Sequence, residues 1–344
     1  MKKQLVVVTG GSGFIAIHII LQLLQQGYAV RTTVRDLAKT TLIKTMLTNG
    51  GWTDFQDLSV VSADLTHAQN WDQVMVGADY VIHVASPTPT LNFKDESEMI
   101  QPAINGVLYV LQAASKAHVK RVVLTSAYGA IFAGHRDRTT PFTEDVWSDL
   151  TAKGVHPYQK SKTLSEQAAW DFMAQDHSNM TLATVNPVAV MGPVLASDYS
   201  HSNIQIYDLL MGNTKVLPKV DSGYVDVRDV ASLHLLAMTR SEAAGQRFLA
   251  TTGETYSMLD VANILRTAYP EFAARLPTKT VPNAVLKAAA KANPMLRMVA
   301  SVAGTYAETS ATKAKTVLGW QPRPAKAAIL ATAQSMLDLG IVTK

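Results

Sequence analysis

A short glycine-rich segment near the start of the chain constrains the fold more than any other feature of the sequence. The segment Thr9–Ala16 reads TGGSGFIA and follows the apolar, β-branched run Leu5–Val8. It opens the stretch Phe14–Gln26, whose apolar residues recur at helical spacing, and Gly27 stands where a helix C-terminal cap belongs. A strand, a glycine turn and a helix in this order predict the first unit of a parallel sheet.

Strands and helices alternate through the first half of the chain. Further strands are predicted at Tyr28–Val34, Leu58–Ala63, Tyr80–Val84, Arg121–Thr125 and Thr181–Val185. Further helices are predicted at Leu37–Leu47, Ser97–His118 (bent or interrupted near Pro102) and Pro157–Asp176. The alternation predicts an α/β fold of the Rossmann type, a doubly wound parallel sheet with helices on both faces.

The pattern loosens after Pro187, which predicts a second, smaller lobe. Residues 1–190 form the expected sheet domain, with a returning segment at about 225–250. Residues 191–224 and 251–344 form the expected C-terminal lobe, which is mostly helical.

Composition excludes several functional classes. The chain has 344 residues, of which 47% are hydrophobic and 17% charged, and this is typical of a globular protein with a large core. A net charge of +4 without a dense basic run argues against a nucleic-acid or membrane-surface partner. Without cysteine, and with nine scattered histidines, the sequence predicts no metal site. The N-terminal apolar run is too short for a signal peptide, so a cytoplasmic location is expected.

The glycine segment also indicates a ligand. Gly11-x-Gly13-x-x-Ala16 matches the dinucleotide-binding fingerprint in its required place, between a strand and a helix. An NAD site usually has a carboxylate at the end of the second strand, whereas this chain has Arg35, followed by Lys39. A guanidinium suits the 2′-phosphate of NADP, so NADP is favoured over NAD. The neighbouring Asp36 is the counter-evidence unless it caps the next helix.

A tyrosine and a lysine lie one helical turn apart in the segment HPYQKSK. Tyr158 and Lys162 would share one face of a helix, where the ammonium group could lower the pKa of the phenol. Such a phenol can protonate a carbonyl oxygen. Ser126 ends a predicted strand, where ligands bind in open parallel sheets, and is the candidate to polarise that carbonyl.

Together these motifs resemble the extended short-chain dehydrogenase/reductase superfamily. YQKSKTLSEQAAW, HVASP, NPVAVMGP and VDVRDVA are similar to its dihydroflavonol 4-reductase-like branch, over roughly residues 4–320. The resemblance implies a carbonyl reductase with Ser126, Tyr158 and Lys162 as catalytic residues and the C-terminal lobe as the substrate lobe. The cofactor contacts it implies are Gly10, Gly13, Phe14 and Ile15 at the pyrophosphate, Arg35 at the 2′-phosphate, Asp64 and Leu65 at adenine, Val84, Ala85 and Ser86 along the cofactor, and Pro187, Val190 and Ser202 near the nicotinamide.

Departures from the family pattern narrow the expected substrate. Ile131 stands where plant flavonoid reductases have an asparagine for substrate hydroxyls, and Ala103 stands where many relatives have an asparagine. The cysteine-containing motif of cinnamoyl-CoA reductases is absent. We therefore expect small or medium hydrophobic aldehydes and ketones as substrates, with Ile131 and Tyr128 lining the site; Tyr128 could instead merely pack.

Two other functions remain open from the sequence. One is an NAD-dependent sugar-nucleotide epimerase or dehydratase, which uses the same fold. The other is a non-enzymatic regulatory protein that senses the cofactor. The sequence also leaves open whether the protein is a monomer or a homodimer.

Overall fold

The structure is a computed structural model that describes residues 3–87, 95–135, 139–197, 200–292, 296, 299–300, 303–304 and 308–343. Its strands are β1 Leu5–Val8, β2 Ala29–Val34, β3 Leu58–Ser62, β4 Tyr80–His83, β5 Arg121–Thr125, β6 Thr181–Pro187, β7 Ala189–Met191, β8 Leu217–Pro218, β9 Asp221–Asp226, β10 Gln246–Ala250, β11 Thr255–Ser257 and β12 Thr280–Val281. Its α-helices are α1 Phe14–Gln25, α2 Thr40–Asn49, α3 Trp71–Met75, α4 Ser97–Lys116, α5 Gly129–Phe132, α6 Pro157–Gln175, α7 His201–Leu210, α8 Val227–Thr239, α9 Met258–Ala268, α10 Asn283–Ala292, α11 Thr312–Leu318 and α12 Ala325–Asp338.

The main sheet has seven strands in the order β10-β6-β5-β4-β1-β2-β3, and every neighbouring pair is parallel. Successive residues of β1 enter different cores, because side chains alternate along a strand. Val6 and Val8 join one hydrophobic cluster, whereas Val7 joins the cluster on the opposite face. Helices cover both faces, which confirms the predicted Rossmann-type fold.

The strand order reverses between β1 and β4, and this reversal positions the site. The chain leaves β1 into the glycine turn and leaves β4 into Val84 and Ala85, so both turns meet at one edge of the sheet. Ligands of doubly wound sheets bind at this kind of switch point. Ser126 follows β5, the next strand along the same edge.

Several local expectations differ from the structure. The predicted helix after β2 begins as a 3₁₀ turn, Leu37–Lys39, before α2. The helix α4 runs without interruption through Pro102, which lies in its second turn. The short strands β7, β9 and β11 form a separate three-stranded sheet that the sequence did not predict. The division into two domains stays a prediction.

None of the helices in the described residues is both long enough and apolar enough to cross a membrane.

Candidate functional site

The glycine turn after β1 leads directly into the N-terminus of helix α1. Gly10 has a φ of +74°, and a Cβ atom at this position would lie 3.0 Å from the Cβ atom of Ala85. The turn is closed by the N–H of Gly13, which donates to the carbonyl of Gly10 at 2.8 Å. The first turn of α1 has neither a capping side chain nor an acidic residue. Its N–H groups, at Phe14 and Ile15, therefore suit an anion such as a pyrophosphate.

At the end of β2, the structure separates the roles of two neighbouring charges. The Asp36 carboxylate accepts from the Ala38 N–H at 2.9 Å and caps the 3₁₀ turn. Asp36 is thus a cap rather than the carboxylate of an NAD site. The Arg35 side chain is exposed beyond the strand, and Lys39 is exposed at the end of the same turn. Both cations are therefore accessible to a phosphate at this edge.

The residues expected at adenine follow β3. The Asp64 carboxylate accepts from the N–H and the hydroxyl of Thr66, both at 2.8 Å, and these bonds lower the pKa of Asp64. Leu65 is buried against Gly106, where a Cβ atom would lie 3.0 Å from that of Leu65. A glycine in α4 thus allows the turn that carries Asp64 and Leu65 to pack closely.

Helix α6 begins with a histidine cap that fixes the first turn. The His156 ring nitrogen Nδ1 accepts from the Tyr158 N–H at 3.2 Å, and the Gln159 side chain accepts from the His156 N–H at 3.0 Å. Pro157 occupies the first helical position, where a missing N–H costs nothing. Burial lowers the pKa of His156, which favours the neutral ring that the cap requires. Tyr158 and Lys162 consequently project from an ordered helix start.

The pKa values of the tyrosine–lysine pair differ from the sequence expectation. Burial raises the pKa of Tyr158, so a lowered value through Lys162 is not found in this structure. Burial also lowers the pKa of Lys162 to about 8, although the nearby Glu166 carboxylate opposes this effect. A phenol with a raised pKa stays protonated at neutral pH, which is the form that a proton donor needs.

Ser126 and Glu166 are joined by a direct hydrogen bond. The Ser126 hydroxyl donates to Glu166 Oε2 at 2.6 Å, and both residues are buried. Glu166 lies four residues after Lys162, so α6 presents Tyr158, Lys162 and Glu166 at successive turns. Glu166 was not predicted from the sequence, although its spacing of four residues from Lys162 was a usable signal.

A small cleft brings part of the predicted site together. Five predicted residues line it: Leu65, Ala85, Ser86, Ser126 and Lys162. The other lining residues are His83, Pro87, Ala103, Val107, Leu124, Thr125 and Ser165. The cleft therefore lies at the carboxyl edge of β4 and β5, between α4 and α6. Tyr158 and the glycine turn are not among its lining residues.

His83 contributes a further polar group that the sequence analysis assigned only to a strand. Thr9 Oγ1 accepts from the N–H groups of Val84 and Ala85, both at 3.0 Å, so its own proton goes to His83 Nδ1 at 2.8 Å. A neutral ring that accepts at Nδ1 carries its proton at Nε2. His83 Nε2 is buried and has no partner among the described residues. The buried Nε2–H group of His83 can therefore donate to an acceptor atom of a ligand in the cleft.

The remaining predicted cofactor residues lie outside the cleft lining. Val84 donates its N–H to Thr9, and the Pro187 carbonyl accepts from the Tyr128 N–H at 2.9 Å. Val190 lies on β7 and pairs with β9, and Ser202 is half-buried in the first turn of α7. Their cofactor roles stay predictions.

The structure does not support Ile131 as a substrate contact. Ile131 is fully buried in the main hydrophobic core and is absent from the cleft lining. A side chain without accessible surface cannot contact a substrate unless its cover moves. Tyr128 is half-buried and stacks on Phe132 with ring centroids 4.6 Å apart, so packing accounts for its position.

No group of three or more histidine, aspartate or glutamate side chains suited to a metal ion occurs among the residues that the structure describes.

Comparison with known proteins places this geometry in a family. Residues 6–251 match the NAD dependent epimerase/dehydratase family. The chain is 37% identical over 285 residues to cinnamoyl-CoA reductase 2 of Arabidopsis thaliana, with 80% of each chain covered. It is 34% identical over 291 residues to an anthocyanidin reductase of Vitis vinifera, covering 80% of this chain and 83% of the relative.

Solved structures agree with the sequence relatives. The yeast methylglyoxal/isovaleraldehyde reductase Gre2, crystallised with NADPH, aligns with a TM-score of 0.82 and 29% identity over 99% of this chain and 100% of Gre2. The chain belongs to the NAD dependent epimerase/dehydratase family, and its fold and relatives define it as a member of the extended short-chain dehydrogenase/reductase class. The resemblance inferred from the motifs is confirmed.

Proposed function

We propose that this protein is an NADPH-dependent carbonyl reductase that converts small or medium hydrophobic aldehydes and ketones to alcohols. One observation carries the proposal. Ser126 and Lys162 line the same cleft as Leu65 and Ala85, at the switch point of the sheet. Groups suited to a carbonyl and groups suited to a dinucleotide therefore meet at one edge.

The chemistry requires a hydride and a proton. The nicotinamide of bound NADPH supplies the hydride to the carbonyl carbon. Tyr158 gives its phenolic proton to the carbonyl oxygen, and Ser126 stabilises the charge that develops on that oxygen. Lys162 presents a positive charge on the same helix as Tyr158 and assists recovery of the phenolic proton.

The chain's own residues fit NADPH. The positive φ of Gly10, the close approach to Ala85 and the uncapped start of α1 suit a pyrophosphate. The exposed Arg35 suits a 2′-phosphate, because Asp36 is occupied as a cap. The similar yeast reductase Gre2 was also crystallised with NADPH.

The two alternative functions receive less support. A sugar-nucleotide epimerase or dehydratase is compatible with the family description, but Arg35 favours NADP. The two relatives from Arabidopsis thaliana and Vitis vinifera described above are reductases. A regulatory protein would not need Ser126, Tyr158 and Lys162 together.

The substrate class rests on the named substrates of Gre2 rather than on Ile131. Methylglyoxal and isovaleraldehyde, for which the yeast reductase is named, are small carbonyl compounds. Val107 and Leu124 add apolar surface to the cleft that Ser126 and Lys162 line, which suits a substrate with an apolar chain. We further propose that the protein is cytoplasmic, that residues 1–190 with 225–250 bind the cofactor, and that the other segments bind the substrate.

The decisive experiment measures NADPH oxidation by the purified protein. The panel contains short aliphatic aldehydes, aryl ketones, diketones, a dihydroflavonol and a hydroxycinnamoyl-CoA thioester. We expect the highest kcat/KM with a simple hydrophobic aldehyde or ketone. Absence of turnover across the panel, or a clear preference for the thioester or the dihydroflavonol, would refute the proposed substrate class.

A further inference from the structure

Glu166 is a carboxylate with no exposed surface, behind the residues proposed as catalytic. Its oxygens accept from Ser126 Oγ at 2.6 Å, Asn186 Nδ2 at 2.8 Å, Thr184 Oγ1 at 2.9 Å, and Arg247 Nε and Nη2 at 2.7 and 3.3 Å. A sixth donor, Trp170 Nε1, lies 3.5 Å from Oε1. A carboxylate offers about four lone-pair positions, and these six donors exceed that number. The charge is thus compensated even if one donor leaves.

Arg247 fixes the position of this carboxylate. Its guanidinium lies 3.6 Å from the centre of the Trp147 ring and donates to the carbonyl of Val146 at 3.1 Å, besides its two bonds to Glu166. The Arg247 side chain is 10% exposed, so the ion pair is shielded from solvent. Removal of either partner alone would leave a buried charge without compensation.

The hydrogen bond to Glu166 determines whether the Ser126 hydroxyl presents its proton or its lone pairs to the cleft. A serine hydroxyl has one proton, and this proton points to Glu166 Oε2. Ser126 consequently presents lone pairs toward the cleft in the ligand-free protein. Because Asn186, Thr184 and Arg247 still satisfy Glu166 without Ser126, the hydroxyl can turn to a carbonyl oxygen as negative charge develops there.

Glu166 also acts on Lys162, one helical turn away. Its negative charge raises the pKa of Lys162 against the effect of burial. Three other titratable groups lie near Glu166 and Lys162. They are His83, whose pKa Lys162 affects, Arg247, which pairs with Glu166, and Tyr158, one helical turn before Lys162. His83 is neutral, because burial and Lys162 lower its pKa to about 3. Arg247 is engaged in its ion pair with Glu166.

We propose that Glu166 is a positioning residue that holds the Ser126 hydroxyl ready for release to the substrate oxygen and sustains the positive charge of Lys162. This role rests on the proposed reductase function, because it acts through Ser126 and Lys162. It assigns the network of Glu166, Arg247, Thr184 and Asn186 to the reaction rather than to packing alone.

Two substitutions of Glu166 separate its effect on the Ser126 hydroxyl from its effect on the charge of Lys162. Glu166→Gln keeps the size of the side chain but removes its charge and replaces one acceptor oxygen with a donor. Glu166→Asp keeps the charge but withdraws it by one methylene group from Ser126. We expect kcat to fall roughly 10–100-fold in both, as for loss of a hydrogen bond to a charged group. KM for NADPH should change little.

The pH dependence distinguishes positioning from structural support. If protonated Lys162 is required, activity falls as the pH rises through the pKa of Lys162. Glu166→Gln lowers this pKa, so the alkaline limb of kcat/KM should move to lower pH, whereas in Glu166→Asp it should stay near its original place. Glu96→Gln is the matched control, because Glu96 is an exposed carboxylate that pairs at 2.8 Å with another lysine of α6, Lys160. This control should leave both kcat and the alkaline limb of kcat/KM unchanged.

A second readout does not depend on turnover. The pKa of Lys162 is measured in the cofactor-free protein by ¹³C NMR of labelled lysine, with Lys162→Arg to assign the signal. A lower pKa in Glu166→Gln is expected. If the unmodified protein reduced no carbonyl compound, the proposed function would fail, while this titration would still decide whether Glu166 sustains the charge.

Folding is checked by circular dichroism and thermal unfolding. If Glu166→Gln does not fold, the double variant Glu166→Gln with Arg247→Met removes both buried charges and is measured in its place. A folded variant with unchanged kcat, an unmoved alkaline limb and an unchanged Lys162 titration would overturn the proposal.

Discussion

Gly10 and Ala85 are in such close contact that a Cβ atom on Gly10 would lie 3.0 Å from the Cβ atom of Ala85. The φ of +74° at Gly10 adds strain of about 1–2 kcal/mol for any other residue. We therefore predict that Gly10→Ala lowers the free energy of unfolding and weakens NADPH binding, because the turn must move away from β4. Urea unfolding and fluorescence titration with NADPH measure the two effects.

Gly27 provides a matched control for this substitution. It has a similar φ of +83°, but a Cβ atom there would meet nothing within 4 Å. Gly27→Ala should consequently lose stability through backbone strain alone and keep its affinity for NADPH. Equal NADPH affinity in Gly10→Ala and the unmodified protein would show that the contact with Ala85 does not shape the cofactor site.

Arg35 is predicted to set the cofactor preference. Arg35→Asp should reduce kcat/KM with NADPH roughly 10–100-fold, as for loss of a charge-assisted hydrogen bond, and should improve use of NADH. Asp36→Asn is the control, since an asparagine still caps the turn at Ala38 and should leave the preference for NADPH in place. Equal use of both cofactors by the unmodified protein would contradict the assignment.

Tyr158 is predicted to supply the proton. Tyr158→Phe removes only the phenolic hydroxyl, so reductase activity should fall about 10²–10⁴-fold while NADPH still binds. Tyr109→Phe, on helix α4, is the control and should retain activity. Turnover and NADPH affinity are measured on the same preparations, and near-full activity of Tyr158→Phe would exclude this residue as the proton donor.

Three buried histidines predict how stability depends on pH. Burial lowers the pKa of His18 and His234 to about 4 and that of His83 to about 3, from 6.5 in the unfolded chain. The unfolded state therefore binds more protons as pH falls below 6.5, and stability is lost between pH 6.5 and these lower values. Urea unfolding at a series of pH values tests this loss.

One of the three histidines can be removed to test the cause. His234 accepts from Thr125 Oγ1 at 2.7 Å and donates to the carbonyl of Val230 at 2.8 Å. His234→Gln should lose stability at neutral pH but show a shallower decline in acid. The exposed His177 is the control, and His177→Gln should keep the full slope. An unchanged slope in His234→Gln would exclude this ring as a contributor.

The local sequence was sufficient to predict the main sheet and the starts of α1, α4 and α6, because each depends on neighbouring residues. The period of apolar residues, Gly27 as a terminator and Pro157 at a helix start are all local signals. The strands of the smaller sheet were missed, because β7 and β11 have three residues each and gain their pairing from β9 rather than from their own pattern.

The site was predictable only where its residues lie in recognisable motifs. The glycine turn, Ser126 and the pair Tyr158 and Lys162 lie in such motifs, and the fold brings Ser126 and Lys162 to one cleft. Arg247 was missed, because it reaches Glu166 across 81 positions of the sequence. The raised pKa of Tyr158 was also missed, since burial depends on packing that spacing does not reveal.

Ile131 gives the last prediction, which differs from the sequence expectation. Because its side chain is fully buried in the main core, Ile131→Asn should unfold the protein more easily rather than change its substrate preference. An asparagine there loses the buried apolar contacts, worth about 2–5 kcal/mol for a large-to-small change, and buries an amide without evident partners.

Ile131→Val is the matched control, because it removes one methylene group and adds no polar atom. It should cost about 0.5–1.5 kcal/mol, clearly less than Ile131→Asn. Urea unfolding measures both variants, and kcat/KM for a simple ketone and a dihydroflavonol is measured on the folded fraction. If Ile131→Asn kept its stability and turned the preference toward the dihydroflavonol, Ile131 would contact the substrate after all, and the core position would have to open during binding.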